Sequence, residues 1–188
     1  MGNAAVRLEH YTAEQAREHE DEIVDVAADA YADRAANPFN RPEAFRERLH
    51  GYLTRPGFHL VMARENDRAV GLTFGFQLPP DTKWFAGLQV PLPDDIAAAI
   101  ATGDVYALSE IMTRTTHRGQ GIARQLHDAL LATRSERYAT LLVRPDNTAA
   151  RTMYDHLGWI AIGQNQPFPP DGPVFTSMIL SLAFRRDA

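Results

Sequence analysis

Two short stretches hold residues whose types and spacing could do chemistry. The first is Arg118-Gly119-Gln120-Gly121-Ile122-Ala123, set between an apolar run and an amphipathic one. Two glycines this close let main-chain N–H groups approach an anion, because a Cβ would block the approach and some positions favour a positive φ. A helix that starts just after them aims its positive dipole end at the same point, which suits a phosphate. Arg118 adds a cation. A plain turn satisfies the same residues, and alone the stretch does not separate the two readings. No Gly-Lys-Ser/Thr follows, so it is not the triphosphate loop. The glycine spacing and the lack of an early strand-helix-strand unit exclude the dinucleotide fingerprint. The second stretch runs from Val143 to Trp159. In it Asn147 and Tyr154 lie two helical turns apart, on one face. Ordinary structural roles fit the same residues, Asn147 (or Asp146) as a helix cap and Tyr154 as a core aromatic.

Composition removes other chemistries. There is no cysteine, so thiol nucleophiles, thiolate metal sites and disulfide frameworks are out. The histidines (His10, His19, His50, His59, His117, His127 and His156) form no HExxH and no cluster with carboxylates, and no metal is expected. They read as surface or satisfied polar groups, His117 as an exposed turn residue beside the glycine loop. The net charge of -5, from 19 Lys+Arg against 24 Asp+Glu, gives no electrostatic reason to bind nucleic acid. No apolar run approaches the roughly 20 residues that span a bilayer, and the polar start lacks a signal core. A cytoplasmic protein with no membrane partner is the expectation.

The elements that must position these residues follow from periodicity. With 188 residues, 45% hydrophobic, the chain suits one domain over 1–188, with an inserted loop at about 79–103 marked by Pro79, Pro80, Pro91 and Pro93. Val6 to Tyr11 reads as a strand. Thr12 and Gln15 form a capping box for a helix with Ile23, Val26, Ala27 and Ala30 inward, stopped at Asn37-Pro38. A helix from Pro42 to about Leu53 turns Phe45 and Leu49 inward and leaves Arg46, Glu47 and Arg48 solvated. Strands over Phe58–Ala63 and Val70–Leu78 flank a tight turn at Asn66-Asp67, and a short helical run covers Asp95–Ala101. Val105–Thr113 is a strand. Gly121–Thr133 is a helix, with Ile122, Leu126, Ala129 and Leu130 on one face. Ala139–Val143 is a strand, Asn147–Leu157 a helix ended by Gly158, and Trp159–Ile162 and Val174–Leu182 the last strands. Strands joined by both hairpins and helices imply an α/β (α+β) three-layer domain on a central sheet.

Taken together, the two stretches resemble the GNAT superfamily of acetyl-coenzyme-A-dependent acyltransferases. Its Gln/Arg-x-x-Gly-x-Gly/Ala loop is matched by Arg118, Gly121 and Ala123. Its N-x-x-A-x-x-x-Y-x-x-x-G-[FW] pattern is matched by Asn147, Ala150, Tyr154, Gly158 and Trp159. Close resemblance covers about residues 104–162. It implies a central mixed, largely antiparallel sheet flanked by helices. It also implies that the amides from Arg118 through Gly119, Gln120, Gly121 and Ile122 to Ala123 hold the coenzyme A pyrophosphate. Ile111-Met112-Thr113 would pair with the pantetheine arm, and Asn147 would help position it. Tyr154 would be the general acid for the departing thiolate, since a phenol with pKa about 10 is near an alkyl thiol. The acceptor amine would attack the thioester directly, with no protein nucleophile. Glu110, in the strand before the loop, is the candidate base, with Asp104 or a water chain as alternatives. Strand alternation decides whether Glu110 points to the site. One departure stands out: Thr115 replaces a proline common in this turn, which would loosen the loop.

On the acceptor side, Tyr31, Phe39, Trp84 and Phe85 are candidate apolar groups. Glu110 with Asp94 or Asp95 would attract a cationic amine. The expectation is an N-acetyltransferase acting on a primary amine of a small molecule, as a monomer or homodimer. A protein N-terminal or lysine acetyltransferase, or an acyl-CoA-binding regulatory module without turnover, are the alternatives.

Overall fold

Short apolar runs mark most of the strand segments, and apolar residues repeat at helical spacing along the helices between them. The computed structural model, which describes residues 6–167 and 172–182, turns that pattern into thirteen helices and strands. In chain order they are β1 (Arg7–Tyr11), α1 (Ala13–Glu18), α2 (Glu20–Ala30), α3 (Pro42–Tyr52), β2 (His59–Glu65), β3 (Arg68–Gln77) and α4 (Asp94–Ala101). There follow β4 (Val105–Thr113), α5 (Ile122–Ala132), β5 (Tyr138–Val143), α6 (Thr148–His156), β6 (Ile160–Asn165) and β7 (Phe175–Ser181). The strand order is β1-β2-β3-β4-β5-β7-β6. β1-β2, β2-β3, β5-β7 and β6-β7 pair antiparallel and β4-β5 parallel, so the sheet is mixed and largely antiparallel. Contacts group the chain into two units. One runs to Phe76 and takes in Glu110–Thr133; the other takes in Gln77–Ser109 and the chain from Arg134 onward.

In the first unit, β2 and β3 are joined by Asn66-Asp67, both with positive φ (48° and 64°), as a tight hairpin turn requires. Leu60 opposes Phe74 and Met62 opposes Leu72. These four pack against Ile23, Val26 and Ala27 of α2 and Phe45 and Leu49 of α3. The other face meets α5. A Cβ on Gly71 would stand 3.2 Å from Leu126, 3.3 Å from Ile122 and 2.9 Å from the Met112 carbonyl, so only glycine lets α5 sit this close. Helices therefore cover both faces of this part of the sheet.

The capping box forms as expected: Thr12 Oγ1 accepts from Gln15 N–H, and the Gln15 side chain accepts from Thr12 N–H. The helix after it is not continuous. It breaks at His19, whose ring packs edge-on to Tyr11, and it ends at Ala30 rather than at Asn37-Pro38. The cause is tertiary: the Ala30 carbonyl, one of the acceptors a helix end leaves open, accepts from Arg118 Nη2 at 2.7 Å.

In the second unit, β5 and β7 are the inner strands of a β4-β5-β7-β6 array. The parallel pairing runs only from Val105↔Tyr138 to Ala107↔Thr140, although β4 continues to Thr113 and β5 to Val143. Between Gln77 and α4 the chain forms no long element. It is pinned by a bridge of Leu88 to Asn165, whose Nδ2 donates to the Trp84 carbonyl at 2.8 Å.

Candidate active site

The glycine loop is built from the end of β4. Arg114 is buried; its N–H donates to the Val70 carbonyl and its Nε to the Ala69 carbonyl at 2.7 Å, while Nη2 bonds Asp25. Thr115 then donates both its N–H (2.7 Å) and its hydroxyl (2.9 Å) to Asp29 Oδ1 on α2. Those bonds hold the Asp29 carboxyl below its ordinary range, Thr115 N–H being the largest cause. A proline at 115 could not donate the first of them, so here Asp29 anchors the loop that the departure at Thr115 was expected to loosen.

Gly119 and Gly121 follow with φ of 75° and 77°, a region costly for residues with a Cβ. A Cβ on either would meet nothing within 4 Å. The exposed loop opens onto free space. The Arg118 N–H is taken by the Thr115 carbonyl, at 3.4 Å. Among the described residues the main-chain N–H groups of Gly119, Gly121, Ile122 and Ala123 have no acceptor. The first α5 bond, from Gln125 N–H to the Gly121 carbonyl, lies beyond them, and no acidic side chain stands in the first turn. Open donors at a positive helix end, with no carboxylate in the first turn of the helix, are what an anion needs. The Arg118 guanidinium does not hang free over this loop. It ties to Ala30 and lies 3.5 Å from Asp33. His117 is not an exposed turn residue: it is half-buried, with Nε2 3.3 Å from Glu65 and Nδ1 against Thr116.

In the same unit, Glu110 points towards α2. Its Oε2 accepts from the Tyr31 hydroxyl at 2.8 Å. Burial pushes the Glu110 carboxyl up; the Tyr31 hydrogen bond and the Arg48 guanidinium draw it part of the way back. The Tyr31 phenol is driven well up by burial and by the Glu110 charge. Arg48 corrects the solvated reading of its helix: Glu47 is exposed and Arg46 is partly covered and ion-paired with Glu20, but Nε and Nη2 of Arg48 are buried. A signal for this was present, since Phe45, Arg48, Leu49 and Tyr52 follow the i, i+3, i+4, i+7 stripe. On β4, Ile111 is half-buried, Met112 buried, and the Thr113 hydroxyl is buried without a partner.

In the second unit, Asn147 caps α6, its Oδ1 accepting from Ala150 N–H at 3.3 Å. Tyr154 is buried, with its ring edge-on to Trp159 at 5.8 Å between centroids. Both ordinary structural roles of these residues are thus realised. Asp104 Oδ1 accepts from Arg137 N–H at 2.7 Å, at the opposite end of β4 from the loop. Asp95 accepts from the Tyr138 hydroxyl at 2.8 Å. Among the described residues no group of three His, Cys, Asp or Glu could hold a metal ion, and no helix is long and apolar enough to cross a membrane.

Comparison with known proteins supplies the rest. A GNAT-family acetyltransferase from Staphylococcus aureus Mu50 has the same fold at TM-score 0.64 and 15% identity, over 95% of this chain and 99% of that one. Diaminobutyrate acetyltransferase EctA from Paenibacillus lautus, solved with L-2,4-diaminobutyric acid and coenzyme A, superposes at TM-score 0.61 and 16% identity, over 95% and 96%. A chimera of the spermidine N-acetyltransferase SpeG of Vibrio cholerae and hSSAT gives TM-score 0.63 and 13% identity, over 97% and 99%. No curated protein shows significant sequence similarity. The Acetyltransferase (GNAT) family matches residues 13–159. That match spans most of the sequence, from the first helix through the glycine loop to Trp159, and the chain belongs to this family of acetyltransferases.

Proposed function

We propose that the protein moves an acetyl group from acetyl-CoA to a primary amine of a small molecule, by direct attack in a ternary complex. The observation that carries this reading is the set of unpartnered N–H groups at Gly119, Gly121, Ile122 and Ala123 around two left-handed glycines at the start of α5. They fit the pyrophosphate of coenzyme A. Beyond Ala107 β4 has no pairing with β5, and that edge of β4 at Ile111, Met112 and Thr113 is where the pantetheine arm would bond, with the Asn147 side-chain NH₂ as a further donor. Glu110 takes the proton of the acceptor ammonium. The amine nitrogen forms its bond to the acetyl carbon as the carbon–sulfur bond breaks, and Tyr154 gives its phenolic proton to the thiolate. The small-molecule acceptor is supported by the diaminobutyrate and spermidine substrates named for two proteins of this fold.

Calorimetric titration with coenzyme A, together with thiol release from acetyl-CoA over an amine panel, tests the reading. Binding and turnover are expected. Binding with no turnover on any amine would make the chain an acyl-CoA-binding regulatory module. Tyr154→Phe is expected to lower kcat about 10²-fold while leaving coenzyme affinity nearly as it was. An undiminished kcat removes Tyr154 from the chemistry.

A further inference from the structure

Arg48 is satisfied on one side only. Its Nη1 donates to the Phe39 carbonyl at 2.7 Å and to the Ala44 carbonyl at 3.1 Å. Its Nε and Nη2 are buried and have no partner. These two N–H groups leave one edge of a guanidinium in parallel, and that edge matches the two oxygens of a carboxylate. Buried donors of a charged group are seldom left unmade in a native fold, and each such case asks for an explanation. The Phe39 ring centroid lies 3.6 Å from the guanidinium carbon and the Phe45 centroid 5.5 Å, so the group lies against aromatic rings. Glu110 attracts Arg48, yet its carboxylate is hydrogen-bonded to Tyr31 and does not fill the fork. One negative and one positive group thus stand near each other in one unit, with the positive group's better edge open. Phe39, whose ring lies over the guanidinium, is 51% exposed and sits on a single 3-10 turn.

We propose that the Nε–Nη2 fork of Arg48 binds a carboxylate of the acceptor, so that the molecule acetylated is an amino acid whose amine meets Glu110 while its carboxylate meets Arg48. The inference rests on the acetyl-transfer reading for its chemistry, but the fork can be tested apart from it.

The test uses the full chain loaded with coenzyme A. The Arg48 Nε–H resonance is followed in a nitrogen–proton correlation spectrum and assigned by its loss in Arg48→Lys. L-Ornithine and putrescine, and L-lysine and cadaverine, form pairs that differ only in the carboxylate. The resonance is expected to move on titration with the amino acids and not with the diamines. With acetyl-CoA, the ratio of kcat/KM for the amino acid to that for its diamine is expected to fall roughly 10- to 100-fold in Arg48→Lys, because a lysine offers no bidentate edge. A resonance that no amino acid moves overturns the proposal. So does a variant that slows both members of a pair alike, which would make Arg48 a packing residue. If no amine is turned over but the amino acids still shift the resonance, the acetyl-transfer reading fails and the carboxylate site stands.

Discussion

In the reaction proposed above Glu110 accepts a proton near neutral pH, and its surroundings suit that role. Burial raises its pKa above the ordinary glutamate range, and the Tyr31 hydroxyl, which donates to the ionised form, limits the rise. The base works only when ionised, so kcat/KM should fall as pH drops through the raised value. Removing the donor in Tyr31→Phe destabilises the carboxylate and should shift that acid limb to higher pH; Glu110→Gln should remove the limb together with most of the rate. A pH profile of kcat/KM for the three proteins decides it, and identical acid limbs in wild type and Tyr31→Phe would dissociate Tyr31 from the base. Stability carries the opposite sign. The folded chain holds the Glu110 proton longer than the unfolded chain, so this group favours folding below the unfolded pKa and loses that advantage as pH rises through the folded one. At neutral pH Glu110→Gln should therefore be no less stable to urea than wild type. The carboxylate itself was legible in the sequence. Its partner was not: Tyr31 lies 79 residues away and reads there as an apolar acceptor-side candidate, not as a hydroxyl donor to Glu110.

At the scale of elements, the boundaries of β4 and the inward face of α5 could be read from the sequence because both are set by local periodicity. β4 spans Val105–Thr113 as expected, and Ile122, Leu126 and Leu130 are buried. The end of α2 could not be read, because it is set by Arg118 reaching the Ala30 carbonyl from another element. The same joint explains how the loop keeps its shape without the usual proline. Asp29 on α2 accepts twice from Thr115, and Arg118 closes the other side. Asp29→Ala should then weaken coenzyme A binding about tenfold by freeing the loop, given about 1.5 kcal/mol for a charge-assisted hydrogen bond. Gly121→Val should abolish binding altogether. It strains a left-handed position by about 1–2 kcal/mol, which the fold survives, and it fills the space above the amides. Calorimetry on both variants, with circular dichroism to confirm folding, checks the pair. Coenzyme affinity retained in Gly121→Val would show that this loop is not the cradle.

For the molecule as a whole, acid sensitivity should trace to one buried cation. Arg64, 8% exposed on β2, donates from Nη1 and Nη2 to both oxygens of Glu22 at 2.6 and 2.7 Å, from Nε to Glu9 at 2.7 Å, and to the Asp67 carbonyl at 2.9 Å. It thereby joins β1, α2 and the β2-β3 turn, none of which the sequence links, because charged residues on separate elements carry no periodicity in common. Glu9 is held below its ordinary range by its Tyr11 hydrogen bond and then by Arg64. Burial would raise Glu22, but the Arg64 bonds and the Ala69 N–H outweigh it. Carboxyls with lowered folded pKa values stabilise the fold above their unfolded pKa, about 4.3, and lose that contribution as pH falls through the folded value. Arg64→Met strands Glu22 and should cost about 3 kcal/mol at pH about 7, the lower end for breaking a buried pair because Glu22 keeps some contact with water. In acid the stranded carboxyl is neutral and the deficit should shrink. Urea unfolding of both proteins at about pH 7 and about pH 4 measures this directly. A deficit that stays constant between the two would mean that Arg64 stabilises the fold by packing rather than by holding its carboxylates ionised.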